Sequence, residues 1–208
     1  QYAGATTGAV FDKLVAATDG HAIPNLRFIS EYHDHPKYIH ALAKSVEVYN
    51  QSLQGGAHLL FSFHGIPMSQ SNAGDPYAEQ CMATATRVAH VLGLKAEQWS
   101  VSFQSKFGPA PWLEPATIDQ MKALPASGIK NLLVICPGFS VDCLETIEEI
   151  KVENRTAFLE AGGTSFQYIK ALNATRDHVA LMIALVEERL FERELRGSRQ
   201  NLNKFQQV

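Results

Sequence analysis

HLLFSFHGIP, residues 58–67, decides the fold: a nearly unbroken apolar run stops at a histidine followed by a glycine and a proline. A strand with one wet face alternates apolar and polar residues, whereas a run of this kind fits a strand covered on both faces. NLLVIC at 131–136 repeats the pattern, and further strand candidates lie at 26–30, 99–103 and, more weakly, 165–169. Amphipathic stretches at 5–17, 36–54, 76–92, 115–124, 142–160 and 176–196 alternate with them as helix candidates. Asp75 before Pro76 reads as an N-cap with proline at the first helical position, and Gly93 closes that helix. Strict alternation of strand and helix implies right-handed crossovers. The expectation is therefore an α/β protein with a doubly wound, mostly parallel sheet of about four or five strands.

The chain has 208 residues, 46% of them hydrophobic, enough for a sizeable core. The natural division is a segment 1–22 leading in, an α/β domain 23–175, a terminal helix 176–197 and a polar tail 198–208 expected to fray. Eighteen basic against 21 acidic residues, with no long basic run, argue against a nucleic-acid partner. No apolar stretch reaches the roughly 18 residues that cross a bilayer, and no signal-peptide pattern opens the chain. Cys81, Cys136 and Cys143 form no CxxC pair and suit a reducing compartment, so a cytoplasmic location without disulfides is expected. The opening QYAGATTGAVFDKLV, which lacks methionine, reads like a join into a helix within a longer parent. Nothing in the chain specifies an oligomeric state.

In parallel sheets ligands bind beyond the carboxyl ends of the strands, so the residues just after each strand are the first candidates. Those are His64-Gly65-Ile66-Pro67, Gln104-Ser105-Lys106-Phe107-Gly108 and Pro137-Gly138-Phe139-Ser140-Val141-Asp142, expected to open onto one cleft. His64 either caps its strand or presents an oriented imidazole, because Gly65 and Pro67 would fix a tight turn beside it. His21, His33, His35, His58, His90 and His178 read as surface or helix residues without a role, and His40 stays ambiguous. On the helix expected from Asp142, Glu145, Glu149 and Glu153 recur every four residues and share a stripe. The stripe is either a solvated acidic face or a path for a hard or borderline cation, for which imidazole plus carboxylate suits ferrous iron. The proline-stiffened loop around Phe107 and Trp112 either covers the sheet edge or walls a flat apolar ligand.

FSFHGIPMS, GDPYAEQC, SFQSKFGPAPWLEP, PGFSVDCLETIEEI and FQYIKALN resemble the ferrochelatase family, in the same order and with similar spacing across nearly the whole chain. The resemblance implies a chelatase-like fold of two α/β domains around a porphyrin cleft, of which this chain supplies the second half. Residues 1–22 would be the crossover from a first domain that should carry a segment of the type LLVNLGTP. It implies insertion of ferrous iron, a substrate here, into a porphyrin in the late steps of heme synthesis. By position His64 resembles the family's active-site histidine and Glu145 its partner acid, which gives a catalytic pair. Glu149 and Glu153 resemble the rest of an acidic track, so that His64, Glu145, Glu149 and Glu153 form the metal set. Phe139, Trp112 and Ser105 fall in the porphyrin-binding set, with Asp142 a neighbouring carboxylate. Cys143 departs from members with histidine there, and the tail lacks the cysteines of members with an iron-sulfur cluster, so none is expected. Membrane contact would be peripheral. The mechanism implied is distortion of the macrocycle, proton acceptance by neutral His64 and movement of iron or protons along the Glu145 track. Histidine suits the task because an imidazole's ordinary pKa of about 6.5 leaves it mostly unprotonated at neutral pH. The alternatives are a chelatase for another metal or tetrapyrrole, and a non-catalytic tetrapyrrole-binding fragment.

Overall fold

The structure, a computed structural model, describes residues 1–20 and 26–205. His21 and the last three residues of the tail, 206–208, lie outside the described residues.

Four strands form one sheet: β1 (His58–His64), β2 (Trp99–Gln104), β3 (Asn131–Ile135) and β4 (Ser165–Ile169), in the order β2-β1-β3-β4. All three pairings are parallel, with His64 opposite Gln104 and Phe61 opposite Ile135. The carboxyl ends of β1, β2 and β3 therefore share one edge, and the loops that follow them meet there. No strand forms at 26–30. That segment is irregular, and its apolar residues are used elsewhere: Phe28 meets Phe11 edge-on at 5.2 Å and Ile29 packs on the core.

The helices are α1 (Ala9–Thr18), α2 (Pro36–Glu47), α3 (Asn50–Gln54), α4 (Met68–Asn72), α5 (Tyr77–Val91), α6 (Thr117–Ala126), α7 (Arg155–Glu160) and α8 (Arg176–Phe205). The expected helix 36–54 divides at Val48 and Tyr49, where the backbone of Tyr49 leaves helical geometry. Asp75 does cap α5, its Oδ1 accepting the Tyr77 amide at 3.0 Å, and Gly93 takes the left-handed φ of 66° that ends the segment. Helix α8 continues nine residues beyond the expected end at 196, through most of the expected tail.

Side chains alternate across the sheet as the pleat requires. Leu59, Phe61 and Phe63 point to one face, where they join residues of α2, α5 and α8 such as Leu42, Val88 and Leu181. Leu60, Leu132 and Val134 point to the other, against Met121 of α6 and Phe158 of α7. Burial of each such leucine or phenylalanine contributes about 1.5–3 kcal/mol. Both faces are thus covered, which makes the sheet doubly wound and explains why HLLFSF and NLLVIC show no alternation in sequence.

The expected helix 142–160 differs most from the ordinary pattern. Residues Glu145–Asn154 wind as a π-helix, and α7 follows it directly. Its buried positions, Thr146, Ile150 and Asn154, recur every four residues, one place after Glu145, Glu149 and Glu153. The acidic stripe therefore borders the buried stripe along the whole π-helix.

Candidate active site

His64 ends β1 as a half-buried residue, at the point where the apolar run gives out. Its ring nitrogen Nδ1 lies 2.6 Å from the carbonyl oxygen of Gly65, which can only accept, so Nδ1 carries a proton and, in the neutral ring, Nε2 is the lone-pair nitrogen. Gly65 is held in turn by its amide bond to the Gln104 carbonyl at 2.8 Å. A Cβ at Gly65 would lie 3.1 Å from that same oxygen and 3.1 Å from the Trp112 ring. Close approach, rather than backbone freedom, is what requires glycine here.

Trp112 reaches the site because its loop runs antiparallel along the turn after β1. The Met68 amide donates to the Pro111 carbonyl at 2.9 Å, and the Leu113 amide to the Ile66 carbonyl at 3.0 Å. The rings of Trp112 and Phe139 stand 6.4 and 6.3 Å from that of His64, each tilted by 48°. These three rings line a cleft of about 410 Å³ together with Ala3, Gln70 and Tyr77. Lys106 and Phe107, expected to converge with them, do not line it: Lys106 faces Glu114 at 3.6 Å and Phe107 is exposed.

The π-helix is fastened beside this cleft. The Gln104 side-chain amide donates to the Glu145 carbonyl at 2.8 Å. The Glu145 carboxyl is held below the usual carboxylate range, first by its own backbone amide, then by the Cys143 thiol, with the nearby His64 adding to it. Glu149 accepts two bonds from Ser105, from the amide at 2.6 Å and from the hydroxyl at 2.5 Å. The described contacts of Ser105 thus run to an acid of the stripe, and Ser105 is not among the residues lining the cleft. Glu153 is exposed farther along the π-helix. Among the described residues, no group of three or more His, Cys, Asp or Glu side chains gathers closely enough to hold a metal ion.

Asp142 is a structural hub. It accepts from Tyr168 at 2.6 Å, Asn173 at 2.9 Å, the Ala171 amide at 3.1 Å and Thr146 at 3.4 Å. Burial pulls its carboxyl upward, and these bonds outweigh the pull and hold it below the ordinary aspartate value. Asn173, with a left-handed φ of 47°, also accepts the Asp142 amide and so ties the turn after β4 to the start of the π-helix. Of the histidines read as surface or helix residues, His178 does lie on α8, but it and His58 are buried: His58 pairs with Ser100 at 2.8 Å, and His178 with the Asn173 carbonyl at 2.6 Å. Gln70 and Tyr77 were not singled out by the sequence, and Gln104 only as the first residue of a candidate loop. Only the position of Gln104, one residue past an apolar strand, signalled it.

Residues 1–190 match the ferrochelatase family. The chain is 50% identical over 187 residues to the ferrochelatase of Aeromonas hydrophila, a match covering 89% of this chain and 58% of that protein. It is 48% identical to the ferrochelatase of Methylococcus capsulatus, with 90% of this chain and 58% of that protein covered. It is 47% identical to the coproporphyrin III ferrochelatase of Streptococcus mutans, covering 91% of this chain and 58% of that protein. The chain therefore spans about 58% of the length of these curated relatives.

Proposed function

The chain belongs to the ferrochelatase family, and from that premise we propose that it forms the part of an iron-inserting enzyme that supplies the proton acceptor and the acidic path to a porphyrin. One observation carries the proposal: an imidazole of fixed tautomer lies 6.4 and 6.3 Å from two aromatic rings that share its apolar cleft, with the Glu145 carboxylate near enough to feel it. Metallation of a porphyrin removes two pyrrole protons while the metal sheds water. In this reading Trp112 and Phe139 hold the macrocycle by its faces, and His64 Nε2 takes a pyrrole proton as general base. Ferrous iron is the substrate that moves along Glu145, Glu149 and Glu153. The acids are spaced along the helix and are not gathered into a cage, which suits passage better than storage, since a stored cation needs several ligands at once.

The porphyrin is the partner in this proposal, and a balance of 18 basic against 21 acidic residues gives no sign of nucleic acid. A cytoplasmic location belongs to the same proposal, supported by three unpaired thiols. Among the described residues no helix is long and apolar enough to cross a membrane, so any membrane contact is proposed as peripheral.

The test is to titrate protoporphyrin and coproporphyrin III separately into the protein carrying this chain and follow the Soret band, then add ferrous iron, with cobalt and zinc as competitors. A shifted Soret band followed by the spectrum of the iron porphyrin is expected. Porphyrin binding without metallation by any of these ions would leave a tetrapyrrole-binding protein, and preferential use of cobalt would change the metal assigned.

A further inference from the structure

We infer that the corner at the end of β2, Gln104 and Ser105, is the positioning element that sets the acidic stripe of the π-helix against His64; the inference rests on the iron-inserting role proposed above and extends it to residues outside the cleft.

The two residues act on the stripe in different ways. Gln104 is 2% exposed, and both ends of its side-chain amide are bonded. Its amide nitrogen donates to the Glu145 carbonyl at 2.8 Å, while its oxygen accepts from Ser62 of β1 at 2.9 Å and from Cys136, just after β3, at 3.4 Å. The first turn of the π-helix is thereby bolted to β2, β1 and the residue that follows β3. The main-chain oxygen of Gln104 takes the Gly65 amide, and the Gly65 carbonyl takes His64 Nδ1. One residue is thus a single hydrogen bond from Glu145 and two from the imidazole.

Ser105 adds a grip on the next acid. Its φ of 62° is left-handed, a conformation that side chains other than glycine rarely adopt. With the chain turned this way its amide and its hydroxyl both reach Glu149. A strained backbone that persists at a polar residue beside a candidate site points to a role in that site. Like charges four residues apart on a helix repel, and two donors on Glu149 hold its carboxylate at a fixed distance from Glu145. A corner that merely finished the strand would need none of these bonds to the π-helix.

Two variants test this in the protein carrying this chain. Ser105→Gly accepts the left-handed φ and keeps the amide donor, so it removes the hydroxyl bond alone. Gln104→Glu keeps the shape and the acceptor toward Ser62, and replaces the donor to Glu145. The readouts are the dissociation constant of cobalt(II) alone, from its visible absorption, the KM and kcat for ferrous iron, and the porphyrin dissociation constant from the Soret band. Ser105→Gly is expected to weaken cobalt binding and raise the iron KM about tenfold, the effect of one charge-assisted hydrogen bond. Gln104→Glu is expected to lower kcat as well, with porphyrin affinity within about twofold of wild type in both. Unchanged cobalt affinity and iron KM in both variants overturns the inference, as does porphyrin affinity falling in step with the metal constants. A wild type that binds cobalt but metallates no porphyrin overturns the reaction proposed above, while the cobalt constants still judge Gln104 and Ser105. A wild type that binds no cobalt overturns both. Should Gln104→Glu fail to fold, the half-buried Ser105 carries the test.

Discussion

His64 Nδ1 donates to the carbonyl of its own neighbour Gly65 at 2.6 Å, so the side chain and the turn that follows it fix one tautomer. The ring nitrogen left with a lone pair is Nε2, which is what a general base requires. His64→Ala should lower metallation about 10²–10⁴-fold while porphyrin binding, assigned to Trp112 and Phe139 in the proposed reading, stays within a few-fold of wild type. Turnover measured under saturating porphyrin checks this. Normal turnover in that variant would remove His64 from the chemistry.

Gly65 should tolerate no side chain. A methyl group there would sit 3.1 Å from the Gln104 oxygen, which is sheet backbone and has little freedom, and 3.1 Å from Trp112, which lines the cleft. Gly65→Ala is therefore expected to displace the Trp112 ring and weaken porphyrin binding, with a smaller loss in melting temperature. The Soret titration gives the first quantity and calorimetry the second; unaltered porphyrin affinity would mean that the Trp112 ring stays in place.

The sheet was legible because HLLFSF and NLLVIC carry their two-sided burial openly, and Gly93 and Asp75 mark helix ends by local chemistry. Residues 26–30 misled because apolar content alone cannot distinguish a strand from a loop that packs Phe28 on Phe11. The π-helix was not legible, since a period of four is compatible with an α-helix, and the bonds that the Gln104 and Asn154 side chains make to its backbone cannot be read from the sequence. At the site, His64 and Phe139 could be placed at one edge from strand order alone. Trp112 depended on a loop pairing with Ile66 and Met68, which no local pattern announces. His58 misled in the opposite direction, being a buried strand residue, because a buried histidine needs only one partner to be satisfied.

Asp142 ties pH to the stability of the site. Its carboxyl is depressed in the folded chain, so the stabilisation it brings is fully present above the unfolded aspartate value of about 3.9 and is lost as pH falls through the lower folded value. Melting followed from pH 6 down to 3 should show the wild type losing stability most steeply below about pH 4. Asp142→Asn, which cannot ionise, should be less stable at neutral pH and show a flatter fall in that window. Parallel curves for the two proteins would mean that the Tyr168 and Asn173 bonds do not favour the ionised carboxyl.

Asn154 closes the π-helix where α7 begins. Its side-chain amide donates to the Glu149 carbonyl at 2.7 Å, five residues back, and the residue is 2% exposed, so no water replaces the bond if it is lost. Asn154→Ala should destabilise the chain by about 1 kcal/mol. It should also free the backbone at Glu149, whose carboxylate Ser105 then holds without support from behind. The expected result is a lower melting temperature together with a raised KM for ferrous iron and unchanged porphyrin affinity. Asn154→Asp is the sharper probe, because it sets a carboxylate against the carbonyl that the amide served, and it should lose more in both measurements. If the two variants melt lower but keep the wild-type metal KM, the π-helix geometry matters for folding and not for handling iron.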